Sequence, residues 1–189
     1  MSTMDILDFL KPGYQTFMSL GDVEHKKIAE RTVTISPRYW SKYGPRISRI
    51  PLKWNEVKYS ELQAYLKADK NRAKKTGVYV FLIRPEEQFF STPKFVFYVG
   101  ISGERGSDRP LRERLREYTH VSKIKKRDRV HQVLRYYYKS TYIQYAEVDA
   151  TKVDLDGLEN NLHGFFYPWA SIRDFPVEIK KAQAAWGNN

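Results

Sequence analysis

Residues 77–83 read Gly-Val-Tyr-Val-Phe-Leu-Ile, a run with no charged side chain in a chain that is otherwise dense in charge. Val78, Val80 and Leu82 alternate with Tyr79, Phe81 and Ile83, so an extended backbone presents large apolar groups on both faces. Such a strand has to lie inside a sheet that is covered twice. A loop through Pro85 and Pro93 leads to a second strand-forming run, Phe95 to Ile101, and the two are expected to pair as an antiparallel hairpin. Thr141 to Val148 is the best remaining strand. Helices are expected from Pro110, in a first turn, to Thr119, from Asp128 to Tyr138, and from Asp156 to just before Pro168. A weaker helix closes the chain from Val177 to Trp186. The expected class is mixed α/β (α+β), with its compact core beginning near Thr76.

The preceding segment has a different character. A short helix is expected around Ile6 to Leu10, then irregular chain to residue 25. Pro37, Pro45 and Pro51 mark Arg31 to Lys53 as loop and short strand. Ser60 can cap a helix running to about Ala73, with Gln63 completing a capping box and Leu62, Tyr65 and Leu66 as its apolar face. The chain therefore divides into a basic, aromatic extension (1–75), a core (76–175) and a C-terminal helix or tail (176–189). At 189 residues it is long enough for one domain with a real core, and it has neither repeats nor low-complexity tracts.

Charge narrows the partners. Thirty-three basic and 22 acidic residues leave a formal charge of +11, which favours nucleic acid or anionic lipid. From Arg109 to Lys139 there are eleven Lys or Arg and three acids, Glu113, Glu117 and Asp128. From Lys26 to Lys53 eight basic residues face one acid, Glu30. Both stretches interleave aromatics, which suits a groove that tracks phosphates better than a merely solvated surface. Candidate contacts are Arg38, Tyr39, Trp40, Lys42 and Arg46 in the extension, where the other reading is a wrap over the core. Arg105 and Arg109 in the loop before the arginine helix, and Lys123, Lys125, Lys126, Arg127 and Arg129 after it, complete the set and suit backbone positioning. The chain has no cysteine, which excludes disulfides and thiolate metal sites and fits a reducing cytoplasm. Asp5 and Asp8 precede Lys11 with no long apolar run, so neither a signal peptide nor a membrane span is expected.

A smaller set of side chains carries the candidate chemistry. In Leu111-x-x-Arg114-Leu115-x-x-Tyr118, the leucines and Tyr118 share one helix side and Arg114 stands at its margin. Arg114 is either a surface cation or a clamp on a phosphate and its pentacovalent transition state. Glu159, in Leu158-Glu159-Asn160-Asn161-Leu162, either closes a capping box begun by Asp156 or holds a divalent cation with water and substrate oxygens. Tyr79 and Tyr98 are two of fourteen tyrosines, and a phenol of pKa about 10 needs a neighbouring cation to act as a base.

The order of these motifs resembles the GIY-YIG nuclease superfamily over roughly residues 76 to 175. Gly77-Val78-Tyr79 corresponds to the first motif, Tyr98-Val99-Gly100 to the second, Arg114 with Tyr118 to the third, and Glu159 to the fourth. The resemblance implies a three-stranded antiparallel sheet flanked by helices, with the extension added. It implies Tyr79 as general base or relay, Tyr98 orienting water and phosphate, Arg114 clamping the phosphate, and Glu159 binding one Mg2+ or Mn2+. The implied reaction is hydrolysis of double-stranded DNA to 5′-phosphate and 3′-hydroxyl ends. Two departures stand out: Tyr118 occupies a place where several members have histidine, and Ser171 stands where members often carry asparagine. His120 and Ser171 are candidate supports. A stand-alone, restriction-type enzyme acting as a homodimer or higher symmetric oligomer is expected. The rivals are a monomeric structure-specific or homing-type nuclease and a catalytically silent DNA-binding protein.

Overall fold

A computed structural model describes residues 4–31, 35–87, 92–171 and 175–186. Along the chain run α1 (Ile6–Met18), α2 (Asp22–Ala29), α3 (Pro37–Ser48), β1 (Asn55–Lys58), α4 (Leu62–Ala68), β2 (Gly77–Ile83), β3 (Phe95–Ser102) and α5 (Leu111–Glu117). They are followed by α6 (Val121–Ile124), α7 (Asp128–Tyr137), β4 (Thr141–Glu147), α8 (Leu155–Phe166) and α9 (Val177–Trp186).

The strands form one antiparallel sheet in the order β1-β4-β2-β3. β2 lies between two partners and is buried from Gly77 through Leu82, as its two-faced apolar pattern requires. On one face Val78, Val80, Leu82, Val99 and Ile101 pack with Leu155, Leu158 and Leu162 of α8. On the other, Tyr79, Phe81 and Phe97 pack with Leu111, Leu115 and Tyr118, and with Val130 and Leu134 of α7. Ile6 and Leu10 of α1 and Tyr59, Leu62 and Leu66 belong to that second core, so the extension helps to build it.

Three strands were expected and four are present among the described residues. The additional one is β1, whose sequence Asn-Glu-Val-Lys buries one apolar side chain, Val57, against β4. An edge strand with one inward residue leaves no alternation to read. The helices of the extension also depart from expectation. α1 continues past Pro12 because Ile6, Leu10, Gly13 and Phe17 form one buried stripe at helical spacing. α2 and α3 stand where irregular chain and loop were expected. In α3, Pro37 occupies the first turn, where its missing N–H costs nothing, and Tyr43 is buried with Phe175 and Ile179, which offsets the internal Pro45. Ser60 lies in a 3₁₀ turn (Tyr59–Glu61) rather than capping a long helix, and α4 ends at Ala68. The expected strands and helices of the core lie within two residues of their expected limits, and the one-turn α6 was not expected.

The β2–β3 pairing carries two local devices. Tyr79 stands opposite Gly100, and a Cβ on Gly100 would lie 2.5 Å from the Tyr79 hydroxyl oxygen and 2.6 Å from Cζ. Only glycine lets the tyrosine ring cross β3 at that point. Second, Phe81 pairs with Tyr98 and Leu82 with Val96, so Phe97 is the extra residue of a β-bulge. The bulge turns Phe97 toward the Tyr79 face, which Tyr98 already shares through its pairing with Phe81, and Phe97 stacks on Phe81 at 5.8 Å between centroids. Gly100→Ala is expected to lower stability by about 1–3 kcal/mol through this overlap. Urea denaturation checks it, and an unchanged midpoint would show that the ring gives way freely.

Candidate active site

Four of the five expected catalytic side chains, Tyr79, Tyr98, Arg114 and Tyr118, come from three elements and converge beside β3, whereas the fifth, Glu159, lies on α8. β2 supplies Tyr79, β3 supplies Tyr98, and α5 supplies Arg114 and ends at Tyr118. Pro110 precedes α5 as its N-cap rather than sitting in its first turn, and the amides of Leu111 and Arg112 bond to the carbonyls of Lys75 and Ala73. These bonds pin the start of α5 to the chain entering β2. Arg114 is thereby carried to the Tyr79 hydroxyl.

The hydroxyls of Tyr79 and Tyr118 lie 2.8 Å apart. Arg114 Nε donates to the Tyr79 oxygen at 3.2 Å, and Arg127 Nη1 donates to the Tyr118 oxygen at 2.7 Å. The Tyr98 ring completes the group, 6.2 Å from that of Tyr79 and 6.4 Å from that of Tyr118. Arg127 was expected only to track phosphates. It instead lies against the Tyr118 ring, 4.6 Å from its centroid, and closes the cluster.

Hydrogen counting shows what the quartet of Tyr79, Tyr118, Arg114 and Arg127 lacks. Each phenol oxygen accepts from one guanidinium, and one phenol must donate to the other. Whichever way that bond points, one phenolic hydrogen has no acceptor within the quartet. A donor-rich centre of this kind fits an anionic oxygen. Burial pushes the Tyr79 phenol well above its ordinary range, with Tyr98 adding to the shift, and outweighs the opposing pull of Arg114. Burial also raises Tyr118. Both phenols therefore keep their protons in this state, and Tyr79 is better placed to pass a proton than to stand as a preformed base.

Glu117 organises the cations. Its Oε1 lies 2.9 Å from Arg109, and its Oε2 lies 2.7 Å from Arg127 and 3.4 Å from Arg114. Glu104, in the 3₁₀ turn Glu104–Gly106, approaches Arg114 from the other side at 3.4 Å. Burial alone would raise the Glu117 carboxyl; Arg109, Arg127 and Arg114 reverse that and hold it below the ordinary range. Glu117 was not among the expected site residues. The available signal was its place as one of three acids among eleven cations, three residues after Arg114.

Glu159 lies on α8, partly buried, with its backbone carbonyl 2.9 Å from His163 Nδ1. The leucines of α8 cover the face of the sheet opposite Tyr79. The capping-box reading does not hold. Asp154 caps α8 by accepting from Gly157 N at 3.0 Å, so the helix starts earlier than expected and Glu159 falls beyond its first turn. Among the described residues no three His, Asp or Glu side chains gather into a metal-binding group. Ser171 is buried, its Oγ lacks a partner among the described residues, and neighbouring Ala170 donates its N–H to the bulge carbonyl of Phe97. His120 caps the short α6 by backbone geometry and borders a groove that none of the quartet lines.

The remaining basic candidates are dispersed. Lys123, Lys126 and Arg129 are exposed, and Lys125 lies over the Phe9 ring. Arg109 is tied to Glu117, while the Arg105 side chain lies outside the described residues. Arg38, Trp40, Lys42 and Arg46 are exposed along α3, with Tyr39 partly buried beside Tyr43 and Lys42 paired to Glu178. α3 packs on α8, so this segment wraps the core while presenting a basic outer surface. No described helix is long and apolar enough to cross a membrane.

No protein-family model, curated protein or solved structure matches this chain.

Glu117→Gln is expected to lower stability at neutral pH by about 1–3 kcal/mol by loosening charge-assisted bonds. Because the folded carboxyl sits below its unfolded value of about 4.3, the charged glutamate's contribution is complete above that pH and is lost as pH falls through the folded value. The gap between parent and variant melting temperatures should therefore shrink below about pH 4. A gap independent of pH would overturn the assignment of Glu117 as the charged hub.

Proposed function

We propose that the chain is a divalent-metal-dependent endonuclease that hydrolyses phosphodiester bonds of double-stranded DNA, leaving 5′-phosphate and 3′-hydroxyl ends. The observation that carries this reading is the meeting of the Tyr79 hydroxyl with Arg114 and Tyr118, beside Tyr98, at a centre short of one hydrogen-bond acceptor. These are the positions at which the sequence resembles GIY-YIG nucleases. A phosphate oxygen is an acceptor of the required charge, and the excess of cations would draw a polyanion to the surface.

Within this proposal, Arg114 grips a non-bridging oxygen and neutralises the charge that grows on it as water attacks phosphorus. Tyr98 orients the phosphate and the water, and Tyr79 acts as relay: its oxygen takes the water's proton as its own hydrogen passes to a phosphate oxygen, from which solvent removes it. Glu117 keeps Arg114 and Arg127 in register without touching substrate. Glu159 would hold the Mg2+ or Mn2+, which supplies Lewis-acid polarisation and eases departure of the 3′ oxygen. A restriction-type enzyme is the form proposed, with recognition by the exposed face of α3 and action as a symmetric dimer to cut both strands. Complete burial of Tyr79 and Tyr118 favours a second reading, a protein that binds DNA here without cutting it.

Purified protein incubated with varied duplexes and magnesium, with every cut end sequenced, separates the two. Cleavage that EDTA abolishes is expected, and magnesium-independent binding with no cut ends would leave the second reading. Arg114→Ala should reduce cleavage about 100-fold or more. Glu159→Ala should retain binding and lose most cleavage, and normal cutting by that variant would remove Glu159 from the proposed metal site. Tyr79→Phe preserves ring packing and tests the phenolic oxygen alone.

A further inference from the structure

The opposite flank of α5 holds a second concentration of cations that the quartet does not use. Arg112 and Arg116, one helical turn apart, border a groove of about 280 Å³ together with Lys67 and Lys70, on and just after α4, and with Thr119 and His120. Among the described residues no acid lines this groove. Asp69 and Glu113, on its flanking segments, pair with Arg72 at 3.6 Å and Arg109 at 4.0 Å. Arg112 is fixed: its Nη1 donates to the Asp69 carbonyl at 2.9 Å, and Nη2 donates to the Leu66 carbonyl. Lys67, Lys70 and Arg116 are exposed, and none has a carboxylate at ion-pair distance among the described residues.

Four cationic side chains converging on a groove without a counter-ion repel one another unless an anion joins them. The groove falls near the lower end of small-ligand pockets, roughly 300–1,000 Å³, which suits a phosphate and its adjoining sugar better than a larger metabolite. Arg112 and Arg116 rise about 6 Å along the helix, so two guanidiniums can meet successive parts of one backbone. Arg114 projects from the same helix on a different side, toward the tyrosines.

We propose that this groove is a second phosphate-binding site that holds a backbone phosphate of a nucleic-acid strand away from the cleavage centre. Its assignment to a strand rests on the nucleic-acid reading above. The helix that clamps the reacting phosphate thereby also fixes the strand's path, with Lys67 and Lys70 closing the groove from α4.

The test compares full-length Lys67→Glu/Lys70→Glu and Arg116→Gln with a matched charge control, Lys180→Glu/Lys181→Glu on exposed positions of α9. Fluorescence anisotropy with a labelled duplex, in EDTA and over a salt series, reads binding without cleavage. The groove double variant is expected to bind at least about ten-fold more weakly than the control, with a salt slope smaller by about 0.9 for each phosphate that is no longer neutralised. Arg116→Gln should weaken binding in the same direction without reversing charge. Equal affinity and slope in the groove and control variants would overturn the proposal. A parallel titration with inorganic phosphate and AMP, followed by the NMR signals of Thr119 and His120, separates the sources. Loss of that binding with unchanged duplex binding would overturn the strand assignment. A parent protein that binds duplex through the groove but never cuts would remove the nuclease reading and leave this one standing.

Discussion

A strand that is apolar on both faces must be covered twice, and β2 imposes that requirement on the whole chain. α8 covers the valine face with three leucines, while α5, α7 and the N-terminal helix share the aromatic face. The location of the candidate site follows from this division. The aromatic face ends in hydroxyls rather than methyl groups at Tyr79 and Tyr118, and two guanidiniums donate to their oxygens from the rim. The polar centre is thus an outgrowth of the core, held by the same packing that stabilises the sheet.

Electrostatics in the cluster are a contest between burial and charge. Burial keeps both phenols protonated despite adjacent arginines, whereas Glu117 stays ionised because three arginines outweigh a smaller burial penalty. Buried charge is tolerated only when paired. Glu117 therefore lets a cationic surface persist before any polyanion arrives. In the proposed nuclease this means that the clamp is prearranged, so little reordering opposes phosphate binding.

Much of this architecture was legible in the residues. Two-residue alternation identified β2, the spacing of Leu111, Leu115 and Tyr118 identified the buried side of α5, and Arg114 followed from its place at that margin. What remained hidden depended on partners distant in sequence. β1 has one inward side chain and exists because β4 offers it an edge. α3 survives its internal proline because Tyr43 is buried. The Phe97 bulge leaves no local mark, yet it turns Phe97 onto the Tyr79 face beside Tyr98. Arg127 and Glu117 entered the site through contacts across a turn and along a helix, which no short motif records. Glu159 shows the limit from the other side: a shift of the cap from Asp156 to Asp154 removed its ordinary explanation without assigning it a new one.

The strand order has a temporal consequence. β2 pairs with β3 soon after it in the chain, but its other edge waits for β4, with Val78 facing Ala146. During synthesis the hairpin would emerge with one long apolar edge still open, and the early helices would have only part of their eventual floor. Loop closure over that span makes assembly slow relative to local hairpin formation. A chain growing from its N-terminus thus holds β2 paired along one edge only until β4 follows.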